Sequence, residues 1–127
     1  MVVYQTPIKQ EWLGIESKLL TDPEIGPVSS IVTEKLVLAI LDRTPQATIG
    51  CAITGHLGPF APTKLDGLVY CATALRNGNL LSQNFKLTQA APTNSEDLFQ
   101  RRNRQFESAT MLIRQTIEFL SGSTNAS

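Results

Sequence analysis

The sequence predicts an α/β fold, a sheet with helices packed on it, and three observations carry that expectation. Two short apolar runs, Gln46–Thr54 and Gly67–Leu75, are rich in β-branched residues and too short for helices, so they read as strands. Val32, Leu36, Ala39 and Ile40 recur at helical spacing before the first of these runs. Asn77-Gly78 then separates two β-type runs and marks an antiparallel hairpin.

From the N-terminus, Met1 to Tyr4 reads as a strand, and Pro7 suits the first turn of a short helix over Lys9–Ile15. Asp22-Pro23 and Gly26-Pro27 are turn signals. Ser29 is the expected N-cap of the next helix, with Glu34, Lys35, Asp42 and Arg43 facing outward. Thr44-Pro45 ends it, because a residue before proline is pushed out of the α region.

The two strands follow, joined by a loop in which Gly55, Gly58, Pro59 and Pro62 stop regular structure. Both residues of Asn77-Gly78 tolerate the positive φ of a type I′ turn. In the arm beyond it Leu81, Phe85 and Leu87 alternate with polar residues, the pattern of a strand near a sheet edge. Asn94 or Ser95 is the expected cap of a long last helix. Its apolar stripe is Phe99, Phe106, Ala109, Ile113 and Ile117, and Gly122 is its expected stop. One domain over residues 1–121 and a disordered polar tail over 122–127 complete the expected layout.

The chain has 127 residues, 42% hydrophobic, enough to bury one core. Its 11 basic and 11 acidic residues cancel, which argues against duplex nucleic acid as a partner recognised through a basic field. No apolar run approaches the roughly 20 residues of a membrane helix, and no leader pattern opens the chain. A cytoplasmic protein without a membrane partner is the expectation. Cys51 and Cys71 fall on separate strands with no His at ligand spacing, so they read as reduced core residues, and no metal or cofactor is expected.

Loops at strand ends suit ligands, and free backbone N–H groups there suit an anion or a developing oxyanion. A plain connection between neighbouring strands is the simpler alternative. Thr54-Gly55-x-x-Gly58-Pro59 followed by Lys64-x-x-Gly67-x-Val69-Tyr70 resembles the Thr-Gly-Ile-Ala-Gly-Pro…Lys-Pro-Val-Gly-Thr-Val-Tyr signature of the CinA C-terminal domain family. Gly26-Pro-Val-Ser29 resembles that family's Gly-Ala-Val-Ser. Val2-Val-Tyr4 with Lys9, Leu13 and Gly14 resembles its upstream strand and helix, and Arg104, Ala109 and Leu112 resemble its last helix.

The resemblance implies a mixed sheet with helices packed on it, here lacking the family's first strand–helix unit. It implies hydrolysis of the carboxamide of nicotinamide mononucleotide, with a small-molecule nucleotide as partner; the missing unit should leave apolar surface uncovered, so self-association with further copies of the chain is expected. Tyr4 and Lys9 match the tyrosine and lysine that assist the family's serine; Thr54, Gly55, His56, Gly58 and Arg104 match or adjoin ligand-facing positions. A lysine with a lowered pKa is able to take the serine proton. The family's serine motif, Glu-Ser-Cys-Thr-Gly-Gly, does not occur in these 127 residues, and Ser29 and Ser30 match its helix cap instead. Impaired hydrolysis is therefore expected, and a non-catalytic member that binds a nucleotide or a protein is the other reading. Phe60 stands where the family has glycine, and His56 where it has isoleucine.

Overall fold

The computed structural model describes residues 28–124. The expected elements at Met1–Tyr4 and Lys9–Ile15, with the candidate residues Tyr4 and Lys9, lie outside the described residues. Helix α1 spans Ser30–Arg43, strands β1, β2 and β3 span Ile49–Gly55, Leu68–Leu75 and Leu80–Lys86, and helix α2 spans Leu98–Thr124. The described strands are antiparallel, in the order β1-β2-β3, with β3 at an edge among the described residues.

Helix α1 starts where expected. The Ser29 hydroxyl accepts from the Val32 N–H at 3.2 Å, satisfying one of the donors that a helix start leaves unpaired. Val32, Leu36, Val37 and Leu41 are buried against Ala52, Ala72 and Ala74 of the sheet. Each such aliphatic side chain contributes about 1.5–3 kcal/mol on full burial, so this side of the sheet is the apolar core. A β-carbon at Gly50 would lie 3.0 Å from Leu41 and 3.1 Å from Val37, and its absence is what lets α1 come close. Arg76, in the hairpin loop, donates to the Leu41, Thr44 and Ala47 carbonyls and so closes the C-terminal end of α1.

The hairpin forms at Asn77-Gly78, by a different turn from the one expected. Only Gly78 has positive φ, at 103°, while Asn77 does not. Gly78 N–H donates to the Leu75 carbonyl and Leu75 N–H to the Asn79 carbonyl, which closes a three-residue loop. The Asn77 side chain accepts from the Asn79 N–H and thereby holds the turn without itself taking positive φ.

Helix α2 lies against the other face of the sheet, and it departs most from expectation. Its cap is Asp97, which accepts from the Gln100 N–H; Asn94 instead accepts from Glu96 in a local turn. The helix runs through Gly122 to Thr124, since one glycine weakens a helix without terminating it. Its buried residues are polar, Arg104, Ser108 and Gln115, while Phe99 and Phe106 are each 77% exposed, Ile113 60% and Ile117 59%. The stripe exists, but it points away from the sheet.

The sheet face explains the inversion. Cys51 and Thr73 project towards α2, and polar partners answer them. Thr116 Oγ1 lies 3.0 Å from Thr73 Oγ1 and 3.3 Å from Cys51 Sγ, and the Gln115 amide donates to Thr73 Oγ1 at 3.2 Å. Cys51 is exposed rather than a core residue, whereas Cys71 is buried; both are free thiols. Burial, with Cys51 as a lesser contributor, pushes the Cys71 thiol up to about 12. Among the described residues no helix is long and apolar enough to cross a membrane.

Candidate functional site

The loop between β1 and β2 is closed at its base by an extension of their ladder. His56 N–H donates to the Leu68 carbonyl at 2.9 Å, and Gly67 N–H to the His56 carbonyl at 2.7 Å. Gly67 has φ 78° and Gly58 φ 69°, conformations that glycine enters without steric cost. A β-carbon at Gly55 would fall 2.6 Å from Val69 Cγ1, so glycine is required there for packing alone.

Arg104 reaches this loop from α2. Its guanidinium is 3% exposed and grips Asp66 with two bonds of 2.8 Å, NH1 to Oδ1 and NH2 to Oδ2. NH1 also donates to the Leu57 carbonyl and Nε to the Gln89 carbonyl, both at 3.1 Å. The fork therefore ties together both ends of the loop and the segment after β3. Bidentate pairing of this kind fixes geometry as well as charge. The Arg104 hydrogen bond, ahead of its charge, holds the Asp66 carboxyl below its ordinary range. Lys86 Nζ donates to the Asp66 carbonyl from the other side.

Glu107, one turn along α2, anchors the same region. Its carboxylate accepts from the Thr88 N–H and hydroxyl and from the Gln89 N–H, at 2.6–3.0 Å. Burial pushes its pKa up, but these bonds and the Arg104 charge outweigh that and hold it low.

The residues singled out from the sequence separate in space. His56, Gly58 and Arg104 come together at the loop. The Thr54 hydroxyl is turned away, into the α1 side of the sheet, where it lies 2.8 Å from Thr33 Oγ1. His56 is half-buried; burial lowers its pKa, Asp66 partly opposes this and Lys86 adds to it, so the ring is neutral at neutral pH. Phe60 is 88% exposed with φ 70°, a left-handed conformation that costs a residue other than glycine about 1–2 kcal/mol. Asp66, Lys86 and Glu107 escaped the sequence reading. Asp66-Gly67 is a turn signal, but nothing in it points to an arginine so distant in the chain.

Chemically, the loop offers one neutral imidazole and backbone donors. The N–H groups of Leu57, Gly58 and Phe60 make no hydrogen bond among the described residues. Among those residues no group of three or more His, Cys, Asp or Glu is placed to hold a metal ion.

Comparison with known proteins gives this arrangement relatives. Residues 1–115 match the model of the CinA C-terminal domain. Over 90 residues, 69% of this chain, the sequence is 33% identical to a CinA-like protein of Thermosynechococcus vestitus, and the match spans only 21% of that protein. The fold is similar to that of a competence/damage inducible protein, CihA, from Agrobacterium tumefaciens, with TM-score 0.65, 25% identity, and 87% of this chain covering 64% of that one. It is also similar to a competence or damage-inducible protein from Enterobacter asburiae, with TM-score 0.62, 23% identity, and 90% of this chain covering 67% of that one.

Proposed function

The chain belongs to the CinA C-terminal domain family, and on that premise we propose that it carries the nucleotide-binding loop and proton-handling pair of a nicotinamide mononucleotide amidohydrolase site, without the nucleophile. In such a site a serine oxygen attacks the amide carbon while a lysine takes the hydroxyl proton. The proton passes to the departing nitrogen as the C–N bond breaks, ammonia leaves, and water then releases nicotinate mononucleotide. In these 127 residues Lys9 and Tyr4 stand for the proton transfer. The Gly55–Phe60 backbone and His56 stand for the ligand loop, and the serine motif does not occur.

The observation that carries this reading is the combination at the loop. Arg104, Asp66 and the His56–Gly67 pairing hold its two ends, while the N–H groups of Leu57, Gly58 and Phe60 have no partner among the described residues. Held donors of that kind stabilise a phosphate or an oxyanion without reorganising. Arg104 serves the site chiefly by holding the loop, because four of its five donors are already placed.

Calorimetric titration with nicotinamide mononucleotide, beside an ammonia-release assay, tests the proposal. Binding without turnover is expected, weakened more by Arg104→Ala than by Arg101→Ala. Turnover abolished by Lys9→Ala but insensitive to every serine substitution would overturn it, as would the absence of any binding.

A further inference from the structure

At the base of the candidate loop, His56, Leu68 and Lys86 fall in one row across the sheet. Leu68 pairs with Lys86 between β2 and β3, and on its other side the Leu68 carbonyl accepts from the His56 N–H. Gly67, at φ 78°, donates to the His56 carbonyl, so Gly67 and Leu68 together oppose His56 in a glycine bulge. Residues two apart on a strand share a face. Thr54, two before His56, faces the α1 side through its contact with Thr33. His56 therefore stands on that side, in line with Leu68 and Lys86. Strands lie about 4.8 Å apart, so His56 and Lys86 flank Leu68 at roughly 10 Å between α-carbons. That is near enough for the Lys86 charge to act on the ring, and one oxyanion bridges such a span between an imidazole and an ammonium.

Both side chains keep donors in hand. The imidazole makes no hydrogen bond among the described residues. Lys86 is exposed and gives one ammonium proton to the Asp66 carbonyl, which steadies its head beside the loop and leaves the others for a ligand. The surrounding charges favour an anion. Asp66 and Lys86 are the charges acting on His56; Arg104, from α2, cancels Asp66. Glu107 is occupied by Thr88 and Gln89, and α1 brings the neutral Thr33 to this end.

We propose that His56 and Lys86 clamp a phosphate monoester, the imidazole taking a proton from solvent as the anion arrives. That the phosphate belongs to a nucleotide rests on the proposed function; the clamp itself rests on the row. In the free protein, burial and the Lys86 charge keep the ring neutral. A phosphate lodged between ring and ammonium turns that repulsion into a shared attraction, and the protonated ring becomes a second charge-assisted donor. The two positive charges then meet a dianion, which they would overbalance if it were a carboxylate. His56 stands where the family has isoleucine, and Lys86 lies outside the family motifs, so the clamp is a property of this chain.

His56 is the chain's one histidine, so its ring-proton NMR resonance reads the clamp directly. The test follows that resonance against pH on the full chain, in sodium sulfate and in sodium chloride of equal ionic strength. Sulfate stands for the phosphate dianion because it does not itself titrate near neutrality. Sulfate is expected to raise the His56 midpoint by at least ~0.5 pH unit, which is ~3-fold tighter binding to the protonated ring. Lys86→Gln should lose most of that rise and Lys86→Arg should keep it. Lys35→Gln, which removes the same charge from an exposed site on α1, should also keep it. Nicotinamide mononucleotide should act as sulfate does, and the phosphate-free nicotinamide riboside should not. Equal midpoints in sulfate and chloride overturn the clamp, as does a rise that survives Lys86→Gln undiminished. A response to sulfate without one to the mononucleotide keeps the clamp, assigns it to free phosphate and removes the nucleotide reading. Mononucleotide that binds without moving the midpoint does the reverse.

Discussion

Arg104 and Asp66 form a two-bond ion pair at 2.8 Å across 38 residues of chain, and the arginine is almost wholly buried while the carboxylate is 28% exposed. The pair thereby couples the last helix to the loop between the first two described strands. Four predictions follow from this and three other features.

Arg104→Ala removes the tie to Asp66, Leu57 and Gln89 together and leaves four acceptor atoms without their donor. We expect a loss of about 2–4 kcal/mol, at the lower part of the range for broken buried pairs because Asp66 retains some water. Asp66→Asn is expected to cost less than Asp66→Leu, since an amide still accepts one guanidinium bond. Urea unfolding with a constant m-value measures both.

Stability is expected to fall in acid in two steps. His56 titrates below its ordinary 6.5 in the folded protein, so the unfolded chain takes its proton first, and stability present above about 6.5 is lost as pH falls towards the folded value. Asp66 and Glu107 are held below 3.8 and 4.5, and their contribution is lost as pH falls past those values and through the folded ones. Melting temperature against pH reads both windows. His56→Asn should flatten the upper step alone, and Asp66→Asn the lower.

Phe60→Gly is expected to stabilise the protein by about 0.5–1 kcal/mol. Relief of the positive φ exceeds the added chain entropy of glycine, and a ring 88% exposed gives up little packing. Phe60→Ala keeps the backbone cost and should lie within ~0.5 kcal/mol of the wild type. Equal denaturation midpoints for the two variants would contradict this account.

Gln115 is 2% exposed, and its Oε1 has no hydrogen-bond partner among the described residues. Gln115→Leu removes that orphan acceptor, while Thr73 Oγ1 keeps its contact with Thr116. The expected change is from neutral to about 1 kcal/mol of stabilisation. Gln115→Glu should destabilise by more than that, because it buries a charge beside the Thr73 hydroxyl and the Leu81 carbonyl, which has no proton to donate. Thermal unfolding of the two variants separates them.

What the amino-acid sequence determined by itself is local, and the reasons are local. Ser29 caps α1 because its hydroxyl reaches only as far as Val32. Thr44-Pro45 stops that helix, the β-branched runs make β1 and β2, and Asn77-Gly78 folds β3 back upon β2. Family membership was legible in the same way, from the Thr54–Pro59 and Lys64–Tyr70 motifs in register. Tertiary structure decided what a repeat or a charge is for. Periodicity along α2 shows a stripe of Phe99, Phe106 and Ile113 but not which side of the helix meets the sheet. That depends on Cys51 and Thr73, whose polar groups are satisfied by Thr116 and Gln115 and would be left unpaired beneath phenylalanine. Arg104 likewise reads as a free cation near a ligand until Asp66, Leu57 and Gln89 occupy it. The cost of leaving a buried polar group unpaired operates between distant segments, and only the folded chain brings those segments together.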